Sequence, residues 1–323
     1  MRGAGNRYVF WAVALAAALA APLALTNNYQ LGVAHQALIF ALLATGYNLL
    51  LGFTGLVSFG HIALFAIGAY ASAILVVTFG APFLVGVGAA AIIAGLVGVV
   101  IAMPALRIKG HYLTLLTLAL GEVIRLLIRS MESLTHGSQG FSGIPRPEIF
   151  GMSFRAGVPL YYLLLFALVL GVAFVWRIEA TRYGRAFKAV RDSEIGAEVC
   201  GVRTDHVKVL AFGVSAVFAG VAGSLYAHTM RFISPEFFSL GLTITLLAMV
   251  LIGGRGTVIG PIVGAILLIS LPEWLRFVKD YYLILFGLAI WLCAIALPDG
   301  LAGAAARLLQ ARNSVRGRAS LRT

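Results

Sequence analysis

Charge is what this sequence has least of. Asp, Glu, Lys and Arg make up 11% of its 323 residues while 61% are hydrophobic, and an ordinary soluble domain carries roughly 25% charged residues. That deficit excludes a soluble fold and leaves a polytopic membrane protein. Acids are scarcer still, 12 against 24 Lys and Arg, for a net charge of +12. The cations lie in loops between apolar runs and in the tail, with no aromatic-interleaved basic face. Membrane lipid and the positive-inside rule account for them, and nucleic acid is not an expected partner. Of the two cysteines, Cys200 falls in a polar segment and Cys293 in an apolar run, which suits neither a disulfide nor a metal site. Nor is there a G-x-x-x-x-G-K-[ST] loop, so the chain brings no ATP site of its own. G-x-S-x-G and H-E-x-x-H are absent too, which removes the common hydrolase classes. No enzyme activity, cofactor or metal is expected.

What the sequence has is apolar runs of spanning length. About ten segments read as membrane crossings: 9–26, 33–52, 60–79, 82–103, 112–129, 158–176, 209–229, 240–254, 257–275 and 281–297. Several are short or glycine-interrupted, so the expected number is eight to ten. Residues 1–25 resemble a signal peptide, but the run Tyr8–Leu25 is long enough to span and many more follow, which favours an uncleaved first helix. With the N-terminus inside, seventeen Lys and Arg fall on the cytoplasmic side and six outside, so the expected topology is N-in, C-in. Residues 1–300 then form one transmembrane domain, with a cytoplasmic loop at 177–208, and residues 301–323 a basic cytoplasmic tail that either meets anionic lipid or is disordered. The external loop of about 130–157 holds the turn-rich stretch His136–Pro147. It either shapes the outer mouth of a pathway or simply connects two spans.

The polar island Trp176–Lys208 carries seven of the 24 cations and five of the 12 acids. Ala186, Phe187 and Val190 share one helix face within Arg185–Arg191. Asp192 or Ser193 can cap a second short helix through Cys200, and Gly201 sits where a C′ glycine ends one. A capped amphipathic helix of this kind suits docking into a groove on a soluble partner better than a plain connector.

Two apolar regions are punctuated by glycine: Gly52, Gly55, Gly60 and Gly68 in the first half, and Gly253, Gly254, Gly256, Gly260 and Gly264 in the second. Paired interrupted segments point to a substrate path, with Asn48, Thr54, Ser58 and His61 as polar groups beside the first. Close helix packing through small residues is the competing reading. His61 suits a satisfied interfacial histidine as well as a pathway residue. Glu122 and Arg125, at i and i+3 inside one span, read as a structural ion pair, since a neighbouring arginine keeps a carboxylate ionised.

Four blocks in order carry a family resemblance: Asn48–Tyr70 (NLLLGFTGLVSFGHIALFAIGAY), Leu106–Pro145, Tyr183–Val202 (YGRAFKAVRDSEIGAEVCGV) and Ala211–Gly264, with VFAGVAGSLYAH, FISPEFF and MVLIGGRGTVIGPIVG. Over about 40–270 the chain resembles the M-type permease subunit of bacterial branched-chain amino-acid ABC importers. Leu56 stands where that family commonly has glutamine. The resemblance implies an all-α importer permease in a bacterial inner membrane. It also implies a second, H-type permease, two cytoplasmic ATP-binding subunits and a periplasmic or lipid-anchored substrate-binding protein. An ATPase-coupling loop would fall on Arg185, Phe187, Ala189, Val190, Arg191, Glu194, Ala197 and Gly201, with its signature at Ala189 or Ala197 followed by Gly201. A translocation pathway would involve Asn48, Gly52, Gly55, Ser58, Gly60, His61, Gly253, Gly254 and Gly256. A related importer permease for urea, short amides or other amino acids has the same physics. An ion-coupled secondary transporter is the alternative from another class, but it normally uses intramembrane acids and only Glu122 is available.

Overall fold

A computed structural model describes residues 13, 15–23, 27–105, 111–149, 151–154 and 156–274, with isolated positions at 287–288, 300–301 and 303. All but two residues of the expected span at 281–297, and all but two of the tail 301–323, lie outside the described residues, as do Arg107 and Lys109. Residues 15–23 are helical, and the hydroxyls of Tyr161 and Tyr162 donate to the carbonyls of Ala18 and Leu19 at 2.9 and 3.2 Å. The helices that follow are α1 (Asn28–Asn48), α2 (His61–Val77), α3 (Phe83–Ala105), α4 (His111–Ser130) and the single turn α5 (Glu132–Thr135). Next come α6 (Val158–Ala180), α7 (Arg182–Asp192), α8 (Glu194–Val199), α9 (Thr204–Met230), α10 (Leu240–Gly253) and α11 (Gly260–Trp274). Each expected span over the described residues is thus a helix, and the protein is an all-α polytopic membrane protein.

Burial sorts the helices into a centre and a perimeter. The apolar window of α1 with its following turn is 94% buried, whereas those of α3 and α6 are 33% and 39% buried. The exposed helices are also the more hydrophobic ones, as expected where the surrounding solvent is lipid rather than water. Small residues bring α2, α3 and α9 together. A Cβ on Gly68 would stand 2.4 Å from Gly220, and one on Gly220 would stand 2.3 Å from the Ala90 carbonyl. No side chain fits at these crossings. This is helix association through close backbone approach.

A buried polar chain ties α2 to α9 and to the loop before α6. Ser224 donates to Ser72 (2.7 Å), Ser72 to Nε2 of His228 (3.0 Å), and Nδ1 of His228 to the Pro145 carbonyl (2.8 Å). Arg231 adds a bond to Ile144 (3.2 Å), while β1 (Phe141–Ser142) pairs antiparallel with β4 (Phe232–Ile233). A second two-residue pair, β2 (Glu148–Ile149) with β3 (Met152–Ser153), lies between them in sequence. Within the turn-rich stretch His136–Pro147, Phe141 and Ile144 are buried and the segment packs against the end of α9. Glu122 and Arg125 form the expected ion pair on α4, with Arg125 Nε 3.0 Å from Glu122 Oε2. The pair faces out of this subunit.

Candidate functional site

The polar island folds as a two-helix module at the joint between α6 and α9. α6 runs on to Ala180, Thr181 breaks the helix in extended conformation, and α7 turns back. The elbow is tight, since a Cβ on Gly184 would lie 2.5 Å from the Glu179 carbonyl. Lys188 pairs with Glu179 at 2.9 Å across it. Ser193 Oγ accepts from the Gly196 amide at 3.0 Å, which makes Ser193, not Asp192, the cap of α8. Gly201 then leaves the helix at φ +79°. A second clamp closes the module onto α9: Lys208 pairs with Glu194, and Thr204 donates to Glu198 at 2.8 Å.

The direction of the apolar face departs from expectation. Phe187 and Val190 do share a face, but it is buried in the protein's own core, as is Ala197. These side chains anchor the module, and they are not the surface it offers. The exposed apolar residues are Ile195 and Val199, one turn apart on α8 and 75% and 84% exposed. The sequence signal for them was there, since they are apolar and spaced i, i+4 in a polar segment. Phe187 and Val190 present the more conspicuous pattern, because they stand beside Ala186 on one face.

Arg191 is partly exposed, but one edge of its guanidinium turns inward. Its Nη1 donates to the Gly52 carbonyl at 3.1 Å, while Nε and Nη2 each lie 3.0 Å from Asp192 Oδ1. The neighbouring Lys188 ammonium stands 5.5 Å from the centre of the Phe53 ring, a cation–π contact that residue patterns alone did not flag. Both contacts reach Leu49–Phe53, where α1 widens into a π-helical turn. Such turns often occur at functional sites.

The two glycine-rich regions meet at this point. They form the turns joining α1 to α2 and α10 to α11, with Gly55, Gly254 and Gly256 at φ +74°, +120° and +73°. The Asn48 side chain bridges them: its Oδ1 accepts from the Gly256 amide (2.9 Å) and its Nδ2 donates to the Thr257 carbonyl (2.8 Å). A Cβ on Gly52 would lie 2.0 Å from Asn48 Oδ1, so only glycine leaves room for the bridge. Gly253 abuts Gly260 across the turn between α10 and α11, and Gly60 abuts the Thr117 carbonyl of α4. Phe59 N bonds to Thr117 Oγ1 beside it (3.1 Å).

His61 and Ser58 lie deeper. His61 is fully buried, and Nε2 meets Ser215 Oγ at 3.0 Å. Ser215 spends its own proton on the Gly46 carbonyl (2.8 Å), so His61 is the donor. This brace joins α1, α2 and α9. The Ser58 carbonyl accepts from Tyr47 (2.9 Å). Among the described residues no group of three or more His, Cys, Asp and Glu is assembled to hold a metal.

A lipid-facing helical body, broken turns gathered at one joint, and a rigid polar module between two spans together define a membrane permease subunit. The chain belongs to the family described as branched-chain amino acid transport system / permease component, which it matches over residues 29–294. It is 31% identical over 300 residues to the high-affinity branched-chain amino acid transport system permease protein LivM of Salmonella typhimurium, covering 86% of this chain and 71% of that one. It is 33% identical over 292 residues to the protein of the same name from Escherichia coli, at 83% and 69% coverage. The autoinducer 2 import system permease protein LsrC of Yersinia pseudotuberculosis is 32% identical over 218 residues, 64% of this chain and 57% of that protein. No solved structure matches.

Proposed function

We propose that this chain is one of two permease subunits of an ATP-driven importer for leucine, isoleucine and valine in a bacterial inner membrane. The second subunit is an H-type permease, a periplasmic or lipid-anchored binding protein delivers the substrate, and two cytoplasmic ATP-binding subunits supply the energy. The 177–208 module is the surface on which an ATPase docks. One observation carries that assignment: the α7–α8 module is clamped at both ends by ion pairs, and α8 is capped by Ser193, yet it holds Ile195 and Val199 out in water, where two bare apolar side chains are useful only if something covers them. Family membership and the LivM relatives support the substrate class.

The test is co-purification and uptake with an Ile195→Asp, Val199→Asp variant in cells that contain the whole transporter. Membrane insertion stays normal, the ATP-binding subunits no longer co-purify, and leucine uptake falls at least tenfold. Normal uptake in that variant defeats the docking assignment. Uptake that survives ATP depletion while the ion gradient is intact defeats the ATP-driven reading as a whole.

A further inference from the structure

Arg191 lies at the meeting of three segments that are far apart in sequence. It is the penultimate residue of α7, and its Nη1 reaches Gly52 in the π-helical turn at 3.1 Å. The same Nη1 lies 2.9 Å from where a Cβ on Gly256 would stand, and its Cγ lies 3.2 Å from the corresponding point on Gly55. Gly55 and Gly256 leave room for this one side chain, and Gly52 supplies the carbonyl it binds. Asn48, which packs against Gly52 one turn away, in turn bonds to Gly256 and Thr257. A guanidinium that donates to a backbone carbonyl is a charge-assisted, directional strut. Its other two nitrogens meet the exposed Asp192 carboxylate.

From this geometry we propose that Arg191 is a positioning residue that transmits movement of the α7–α8 module to both turns at once. The module has no other side-chain hydrogen bond to the α1–α2 turn among the described residues, and Lys188 over Phe53 is its one cation–π contact there. A displacement of α7 therefore pulls on Gly52, and through Asn48 on Gly256 and Thr257. Those turns set where α1, α2, α10 and α11 end. The proposal rests on the docking assignment above, and it gives Arg191 a role distinct from docking, which belongs to Ile195 and Val199.

The test uses the whole transporter in proteoliposomes with its binding protein, and compares wild type with Arg191→Ala, Arg191→Lys and Asn48→Ala. In Arg191→Ala the ATP-binding subunits still co-purify and ATP hydrolysis stays within about twofold of wild type. Leucine uptake falls at least tenfold, so the ATP consumed per leucine rises by a similar factor. Arg191→Lys, which retains one donor for the Gly52 carbonyl, recovers part of the coupling. Asn48→Ala uncouples in the same way without touching α7. Hydrogen exchange in the resting complex supplies a readout independent of transport: peptides spanning 49–60 and 254–260 exchange faster in Arg191→Ala, whereas 194–199 does not. Uptake and hydrolysis falling in proportion, or unchanged exchange in both turns, overturns the strut. Loss of the ATP-binding subunits from Arg191→Ala also overturns it, since Arg191 is then a docking residue. If wild type itself fails to retain those subunits, the docking assignment fails instead.

Discussion

At the scale of single residues, the polar groups that matter are those whose partners are backbone atoms. Asn48, Arg191 and Ser193 each bind main-chain N–H or C=O groups, so each fixes where a segment begins or ends. Ser193 gives the cleanest measure. Replacing it with alanine removes the acceptor for the Gly196 amide, and loss of an N-cap costs about 1 kcal/mol. The expected outcome is a roughly fivefold faster amide exchange over Gly196–Cys200, an increase of the size that about 1 kcal/mol implies, with the long helices unaffected. Exchange unchanged in that window means α8 is held by Ala197 and the Lys208–Glu194 pair instead. Ser193 and Gly201 were legible in the sequence because capping is local chemistry, read from residues within one turn of each other. The destination of Arg191 was not legible, because Gly52 lies 139 positions away and no local rule points across that separation.

At the scale of elements, an amphipathic pattern states that a face is covered but not by what. Phe187 and Val190 marked α7 correctly as a helix with one apolar side, yet the cover is this protein's own core. The glycine-rich stretches were ambiguous for a related reason. Composition signals a close approach or a break, and the structure uses both: Gly68 and Gly220 are approach sites between helices, while Gly55 and Gly256 are turns with positive φ. The approach sites yield a direct prediction. In Gly220→Val the new Cβ would stand 2.3 Å from the Ala90 carbonyl and 2.7 Å from Ala94 Cβ, so α3 and α9 must separate. Overpacking of that kind costs about 1–3 kcal/mol. Purified in detergent, the variant should lose several degrees of thermal stability, while a valine at Gly88, which has open space around it, should not. Equal stability of the two variants would show that α3 and α9 are not held at that crossing.

At the scale of the whole molecule, everything proposed about energy input depends on which way the chain faces. Helix burial places α1 at the centre and α3 and α6 at the perimeter, but burial is blind to up and down. Orientation comes only from the cation count, seventeen against six, because Lys and Arg resist transfer to the outer side. The chain's own thiols make that count testable. It has two cysteines, and Cys200 is exposed in the turn after α8, beside the proposed docking residues. With Cys293 replaced by serine, a membrane-impermeant maleimide should label Cys200 in inside-out vesicles and leave it untouched in intact spheroplasts. A chain lacking both native cysteines and carrying Ser138→Cys, in the exposed part of the His136–Pro147 stretch, should show the opposite pattern. Labelling of Cys200 from outside would invert the topology and put Ile195, Val199 and Arg191 on the face where no ATP is available. The docking assignment and the strut that depends on it would then both fail. The reciprocal result puts α7 and α8 on the cytoplasmic face, the one face from which the proposed ATP-binding subunits can reach them.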